Sequence, residues 1–141
     1  MSDRVRRFGE VAAGEELPPA HHTPTRVTMF LFGVAYWTAH RTHYDVEFAR
    51  AEGFADVLVP AGLLSAYGAE LLTTWAGDPG CLRELRERNL SPAVAGERLT
   101  VRACVTGLEP AADGGVVSCA LSITAGDRPV TEGRARLVLP A

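Results

Sequence analysis

Lysine is missing from this chain: all 14 basic residues among its 141 are arginine. The bias reads as the mark of GC-rich coding and not of phosphate chemistry, because the arginines are scattered and the net charge is −3. Nothing in that balance calls for nucleic acid as a partner. A long apolar run is missing as well. The longest, Val57 to Trp75, is interrupted by Pro60, Gly62, Ser65 and Glu70. It is too polar to span a bilayer, so no membrane partner is expected. Cysteines are few, and Cys81, Cys104 and Cys119 are odd in number with no metal-like spacing. They read as small buried hydrophobes in a reducing compartment. The basic stretch Met1-Ser2-Asp3-Arg4-Val5-Arg6-Arg7 has no apolar segment behind it, so no signal peptide is expected and the cytoplasm is the expected location. There is no internal repeat and no low-complexity tract.

What is present is ordinary for a globular domain: 47% hydrophobic and 22% charged residues. The length predicts one domain, residues 1–141, able to bury a proper core. Glu15 to Thr25 carries three prolines and suits an irregular or edge strand. From Arg26 to Trp37 the apolar residues Val27, Met29, Phe30, Leu31, Phe32 and Val34 predict a buried helix with Thr25 as its N-cap. Thr38 to Tyr44 reads as a polar turn. Asp45 then caps a short helix that ends at Gly53.

A second long helix is expected from Pro60 to Trp75, closed by Gly77. Leu63, Leu64, Tyr67, Leu71, Leu72 and Trp75 share one face, small residues fill much of the rest, and Glu70 alone is charged. A surface helix normally shows a charged face, so this one is expected to be enclosed. Beyond it the period changes to two. Arg98 to Gly107, Val116 to Thr124 and Val130 to Leu139 read as strands separated by Gly-rich turns; Leu82 to Leu90, rich in both charge signs, suits helix or strand, and its place before the Gly96 turn favours strand. One enclosed helix followed by four antiparallel strands predicts an α+β fold, a curled antiparallel sheet wrapped around a central helix. That is the hotdog architecture.

The chemistry is concentrated in Tyr36-Trp37-Thr38-Ala39-His40-Arg41-Thr42-His43-Tyr44-Asp45, where a polar turn holds two histidines three apart. Imidazole ionises nearest neutrality, so His43 is a candidate acid/base group; a plain hydrogen-bonded turn histidine is the alternative. Thr38 either holds a water or caps the preceding helix. His40 either lines the site or only hydrogen-bonds the turn, and Asp45 reads as an N-cap. His40, His43 and Asp45 have residue types that suit a metal, but their spacing is weakly diagnostic. Tyr36, Trp37, Tyr44 and Tyr67 read as core, and His21 and His22 as structural.

The order of these residues resembles the hydratase motif of the MaoC-like dehydratases, the family of (R)-specific enoyl-thioester hydratases and 3-hydroxyacyl-thioester dehydratases. That motif is Asp-x-Asn-Pro-x-His-x-Asp followed by Phe-Ala. Here it falls on Thr38-Ala39-His40-Arg41-Thr42-His43-Tyr44-Asp45 and Phe48-Ala49. His40-Arg41-Thr42-His43-Tyr44-Asp45 is most similar to a subgroup with His-Arg-Ile-His-Tyr-Asp, in which the first Asp is commonly Asn. The likeness covers nearly the whole chain. Phe8 to Glu15 is similar to the family's opening strand and turn, and Leu71 to Gly80 to actinobacterial members. Val94 to Val101 is similar to its Pro-Gly-Asp-x-Leu turn, and Gly133-Arg134-Ala135 to its last strand. Two positions depart: Thr38 stands for Asp or Asn, and Pro60-Ala61 for the His-Gly that opens the central helix.

The resemblance implies hydration of a trans-2-enoyl thioester or the reverse dehydration of a 3-hydroxyacyl thioester, with CoA or an acyl carrier protein as the handle. His43 moves the proton. Thr38, or a group from a partner subunit, orients the water, since a hydroxyl does not take a proton near neutral pH as a carboxylate does. A backbone N–H of Ala61 or Gly62 meets the thioester oxygen. No cofactor and no metal are implied. A homodimer is expected, because edge-to-edge pairing covers exposed sheet edges. Two alternatives stay open: a half-catalytic subunit of a heteromeric dehydratase, and a hotdog protein repurposed for another thioester reaction, for instance a thioesterase using Glu70.

Overall fold

The computed structural model describes residues 4–141; Met1 to Asp3, the start of the basic stretch, lie outside the described residues. Five strands form one antiparallel sheet: β1 (Ala20–His22), β2 (Leu82–Asn89), β3 (Leu99–Ala111), β4 (Gly114–Ala125) and β5 (Arg128–Pro140), in the order β1-β3-β4-β5-β2. Helices α1 (Arg26–Tyr36), α2 (Val46–Ala51) and α3 (Ala61–Ala76) lie between β1 and β2 in sequence. The sheet is curled around α3, so the hotdog fold expected from the sequence is the fold observed.

Alternation along the strands decides which residues meet the helix. Leu99, Val101 and Val105 of β3, Val117, Cys119 and Ile123 of β4, and Ala135, Leu137 and Leu139 of β5 are fully buried in the one core that the sheet shares with α3. From the helix side come Leu63, Leu64, Tyr67, Leu71, Leu72 and Ala76. Gly68 lets helix and sheet approach, since a Cβ there would lie 2.7 Å from Leu121 Cδ2. Gly77 stops the helix in the left-handed region at φ 70°, where a side chain would also strike the Arg4 carbonyl oxygen. Thr25 caps α1 by accepting from Thr28 N–H, and Asp45 caps α2 by accepting from Phe48 N–H. The prolines of residues 15–25 leave only three residues for β1, at the sheet edge.

Three expectations are corrected. Phe8 to Glu15 does not open with a strand: Glu10 reaches back to Arg7 N–H at 3.0 Å and closes a 3-10 turn over Phe8–Glu10. α1 is a helix but not a buried one. Met29 alone of its residues is buried, while Phe30, Leu31 and Val34 are exposed, because no layer among the described residues covers the helix. Tyr36, Trp37 and Tyr44 consequently face solvent, Trp37 at 88% exposure, and only Tyr67 of the four aromatics belongs to the core.

Candidate active site

The chain leaves α1 through Trp37, held in the left-handed conformation at φ 54°, and Thr38 N–H closes the end by donating to Gly33 C=O at 2.8 Å. A 3-10 turn over Arg41–His43 follows. Its Thr42 is buried, and Thr42 C=O accepts from Leu58 N–H at 2.9 Å, tying the turn to the strand-like stretch before α3. That stretch is fixed in its turn by Val59 N–H donating to Ala93 C=O and Ala95 N–H to Val57 C=O. The site thus rests on rigid backbone although its side chains come from a loop.

His43 is half-buried and its Nδ1 lies 2.9 Å from the Leu58 carbonyl oxygen. A carbonyl only accepts, so Nδ1 carries the proton and the neutral ring presents Nε2 as a lone pair. Nε2 has no hydrogen-bond partner among the described residues. The Leu58 carbonyl also stabilises the imidazolium once Nε2 takes a proton, as a carboxylate or carbonyl behind a catalytic histidine does. This geometry leaves Nε2 open to accept a proton.

His43 shares a groove of about 230 Å³ with Thr38, walled by Met29, Phe30, Gly33, Val34, Trp37, Ala39 and Tyr44. The structure brings the two expected catalytic residues together. The Thr38 hydroxyl has no partner among the described residues, so it is free to hold a water. Most of the wall is apolar side chain from α1, which suits a hydrocarbon ligand better than a polar one.

Ala61 and Gly62 do not line this groove, yet they start α3 only three and four residues after Leu58. Pro60 precedes them as an N-cap with no side-chain hydrogen bond, and the first backbone bonds to Pro60 C=O come from Leu63 and Leu64. The N–H groups of Ala61 and Gly62 are thus orphan donors at the positive end of a 16-residue helix. Phe32 lies beside Gly62, where a Cβ would come 3.1 Å from its Cζ, and stacks on Tyr36 with centroids 4.4 Å apart; Ala61 and Gly62 are both exposed.

The other candidates are placed elsewhere. His40 turns inward on its own loop, with Nδ1 2.9 Å from Thr42 Oγ1 and accepting from Thr42 N–H, and it is not part of the groove wall. Asp45 takes Arg41 at 2.6 Å, and that guanidinium together with Phe48 N–H holds its carboxyl below the usual range. Glu70 is largely exposed, 3.6 Å from His22 Nε2 and away from the groove. His22 stacks on Tyr67 and His21 bonds Thr100. All three cysteines are free, and burial pushes the Cys119 thiol up to about 12, which leaves it inert. The residues that sequence reasoning passed over are Leu58, whose role is carried by its carbonyl, and the groove wall Met29, Phe30, Gly33, Val34, Trp37 and Tyr44. For the wall a signal existed: an apolar helix adjoining the histidine turn.

Known proteins match this picture. The family model described as hydroxyacyl-thioester dehydratase type 2 matches residues 9–95. The chain belongs to this family. It is a hydratase/dehydratase family, and the stretch matched runs through the turn, α3 and β2. Among solved structures, a MaoC-like dehydratase superposes with a TM-score of 0.88 at 22% identity over 96% of this chain. The chain spans 42% of that protein's length. R-hydratase PhaJ1 from Pseudomonas aeruginosa gives 0.85 at 18% identity, covering 95% of this chain and 85% of that one. The ChsH1-ChsH2 complex from Mycobacterium tuberculosis gives 0.80 at 19%, covering 91% and 98%. At these identities the likenesses speak for the fold. No curated protein matches the sequence. Among the described residues no helix is long and apolar enough to cross a membrane.

Proposed function

We propose that the protein hydrates 2-enoyl thioesters, or dehydrates 3-hydroxyacyl thioesters in reverse, with CoA or an acyl carrier protein as the handle. The observation that carries the reading is His43: Nδ1–H bonded to Leu58 C=O, Nε2 free, in an apolar groove with the Thr38 hydroxyl. In the hydration direction Thr38 orients a water, its oxygen bonds to C3, and its proton passes to His43 Nε2. Electron density moves through the former double bond onto the thioester oxygen, where the N–H of Ala61 or Gly62 stabilises it. C2 then takes the proton from the imidazolium, which restores neutral His43 and the carbonyl. Neither a metal nor a redox cofactor enters these steps. His40 keeps a supporting place, fixing Thr42 and so the turn that carries His43.

The enzyme works as an edge-to-edge dimer, and the unpaired cysteines fit a cytoplasmic location. The exposed apolar face of α1 and the threonine at position 38 favour one second reading, a subunit whose site is completed by another hotdog chain. The test is a spectrophotometric screen of purified protein against short, long, branched and steroid-like enoyl-CoAs. Loss of enoyl absorbance without thiol release is the expected result. Thiol release marks a thioesterase instead, and activity only after adding a second hotdog chain marks the heteromer.

A further inference from the structure

The aromatic residues of α1 fall on two flanks of the helix. Phe30, Gly33, Val34 and Trp37 recur at three- and four-residue spacing and wall the groove of His43. Phe32 and Tyr36, also four apart, project from the other side of the buried Met29 and take no part in that wall. Their rings stack with centroids 4.4 Å apart and planes 17° from parallel. The stack runs from inside to outside: Phe32 is half-buried and packs on the core, whereas Tyr36 is 69% exposed. The inner ring is the one that reaches α3. Its Cζ and Cε1 lie 3.1 and 3.5 Å from where a Cβ of Gly62 would stand.

Thioester geometry decides what such a stack would meet. The carbonyl carbon carries its oxygen, C2 and sulfur in one plane, in three different directions. In the reaction proposed above the oxygen goes to the N–H of Ala61 or Gly62. C2 must point into the groove, because His43 and Thr38 act on C2 and C3 there. The sulfur takes the remaining direction, out of the groove and over the exposed start of α3. Phe32 is the side chain that stands there.

We infer that Phe32 and Tyr36 form an aromatic shelf for the thioester sulfur and the cysteamine arm behind it. A divalent sulfur packs favourably against an aromatic ring, and the methylenes that follow it lie on the open face of Tyr36. Phe32 is thus a positioning residue: with the sulfur held on its ring and the oxygen on α3, C2 has one direction left, toward His43. The shelf reads the part of the handle that CoA and an acyl carrier protein share, and it reads nothing of the acyl chain. The two flanks of α1 divide the substrate between them, acyl group on one side and thiol half on the other. The inference rests on the hydratase reading for the direction of the substrate; it adds the residues that bind the handle.

Truncating the handle and mutating the shelf together test it. The same crotonyl group is offered on CoA, on pantetheine and on N-acetylcysteamine, and octenoyl-CoA lengthens the acyl side. Tyr36→Ala removes an exposed ring without touching the core, and Phe32→Leu keeps apolar bulk without the ring. Each should raise KM about three- to tenfold, by the same factor on all four thioesters, since the contact is equal in ground and transition states. Turnover should move by less than about twofold. A KM effect that grows from crotonyl to octenoyl would put the stack on the acyl side and overturn the inference. So would an effect seen with CoA and lost with N-acetylcysteamine, or an unchanged KM. Butyryl-pantetheine, which keeps carbonyl and sulfur but has no double bond to hydrate, separates the shelf from the reaction. Calorimetry should show it binding each variant about three- to tenfold more weakly than wild type. That result in a protein without hydratase activity would sink the proposed reaction and keep the shelf. Equal binding by wild type and variants, or no binding by the wild type, would sink the shelf.

Discussion

Helices α1 and α3 are both built almost without charge, with Arg26 alone in the first and Glu70 alone in the second. Yet α3 buries seven of its 16 residues and α1 buries only Met29. The difference lies in what each helix is given to pack on. The sheet of the same chain curls around α3, so the apolar residues there make the core. None of the described residues buries the outer face of α1, so its apolar residues are left to wall the groove that holds Thr38 and His43. One helix puts its apolar residues into the core and the other puts them along the groove wall.

Truncating a core residue of α3 should produce the largest stability effect. Leu72→Ala is expected to cost about 2–5 kcal/mol in denaturant unfolding, the range for an unrelaxed cavity at a fully buried leucine. A loss well below that would remove the contrast, since α3 would then hold the fold no better than α1. The matching change on α1, Val34→Ser, should leave unfolding within about 0.5 kcal/mol of wild type. Its effect should appear instead as a KM raised on the order of tenfold for an enoyl-CoA whose chain reaches the groove wall, from about 1–2 kcal/mol of lost apolar contact. A destabilised Val34→Ser with unchanged KM would mean that α1 is core after all.

Thr38→Asp sharpens the comparison at the junction of the two roles. If Thr38 serves only to hold the water, a carboxylate there should raise the rate on simple enoyl-CoAs, because it also accepts a proton. If the position is closed to charge, the variant loses stability instead, as a buried carboxylate without a partner does. The smallest effect is expected where α1 is anchored. Arg26 binds Asp56 at 2.5 Å and holds its carboxyl down to about 2. A lowered folded-state pKa gives stability that is present above the unfolded value of about 3.9 and is lost as pH falls toward the folded value. Acid unfolding of the wild type should therefore show a component between about pH 4 and 2 that Asp56→Asn lacks. Superimposable acid curves for the two proteins would show that the Arg26–Asp56 pair does not hold α1.

Much of this was legible from residue order. The curled sheet, the enclosed α3 with Gly77 at its end, and the Thr25 and Asp45 caps all follow from patterns whose physics is local. His43 and Thr38 stand out in the sequence because the turn between two helices is short enough to read, and the fold places both on one groove. Burial of α1 was misjudged because periodicity reports that a face is apolar and says nothing of what covers it. The Leu58 carbonyl was out of reach for another reason: a backbone acceptor has no residue type, and only folding brings position 58 beside position 43. In the sequence Trp37 and Tyr44 read as core on the same grounds as Tyr67, and only the open side of α1 separates them.

The central claim is that His43 Nε2 moves the proton. Hydration of a 2-enoyl-CoA by wild type and by His43→Ala, with circular dichroism to show that both are folded, tests it most directly. Turnover should fall by ~10²–10⁴-fold in the variant, the range for losing a general acid/base, with the fold unchanged. A folded His43→Ala protein that hydrates the substrate at the wild-type rate would contradict the account.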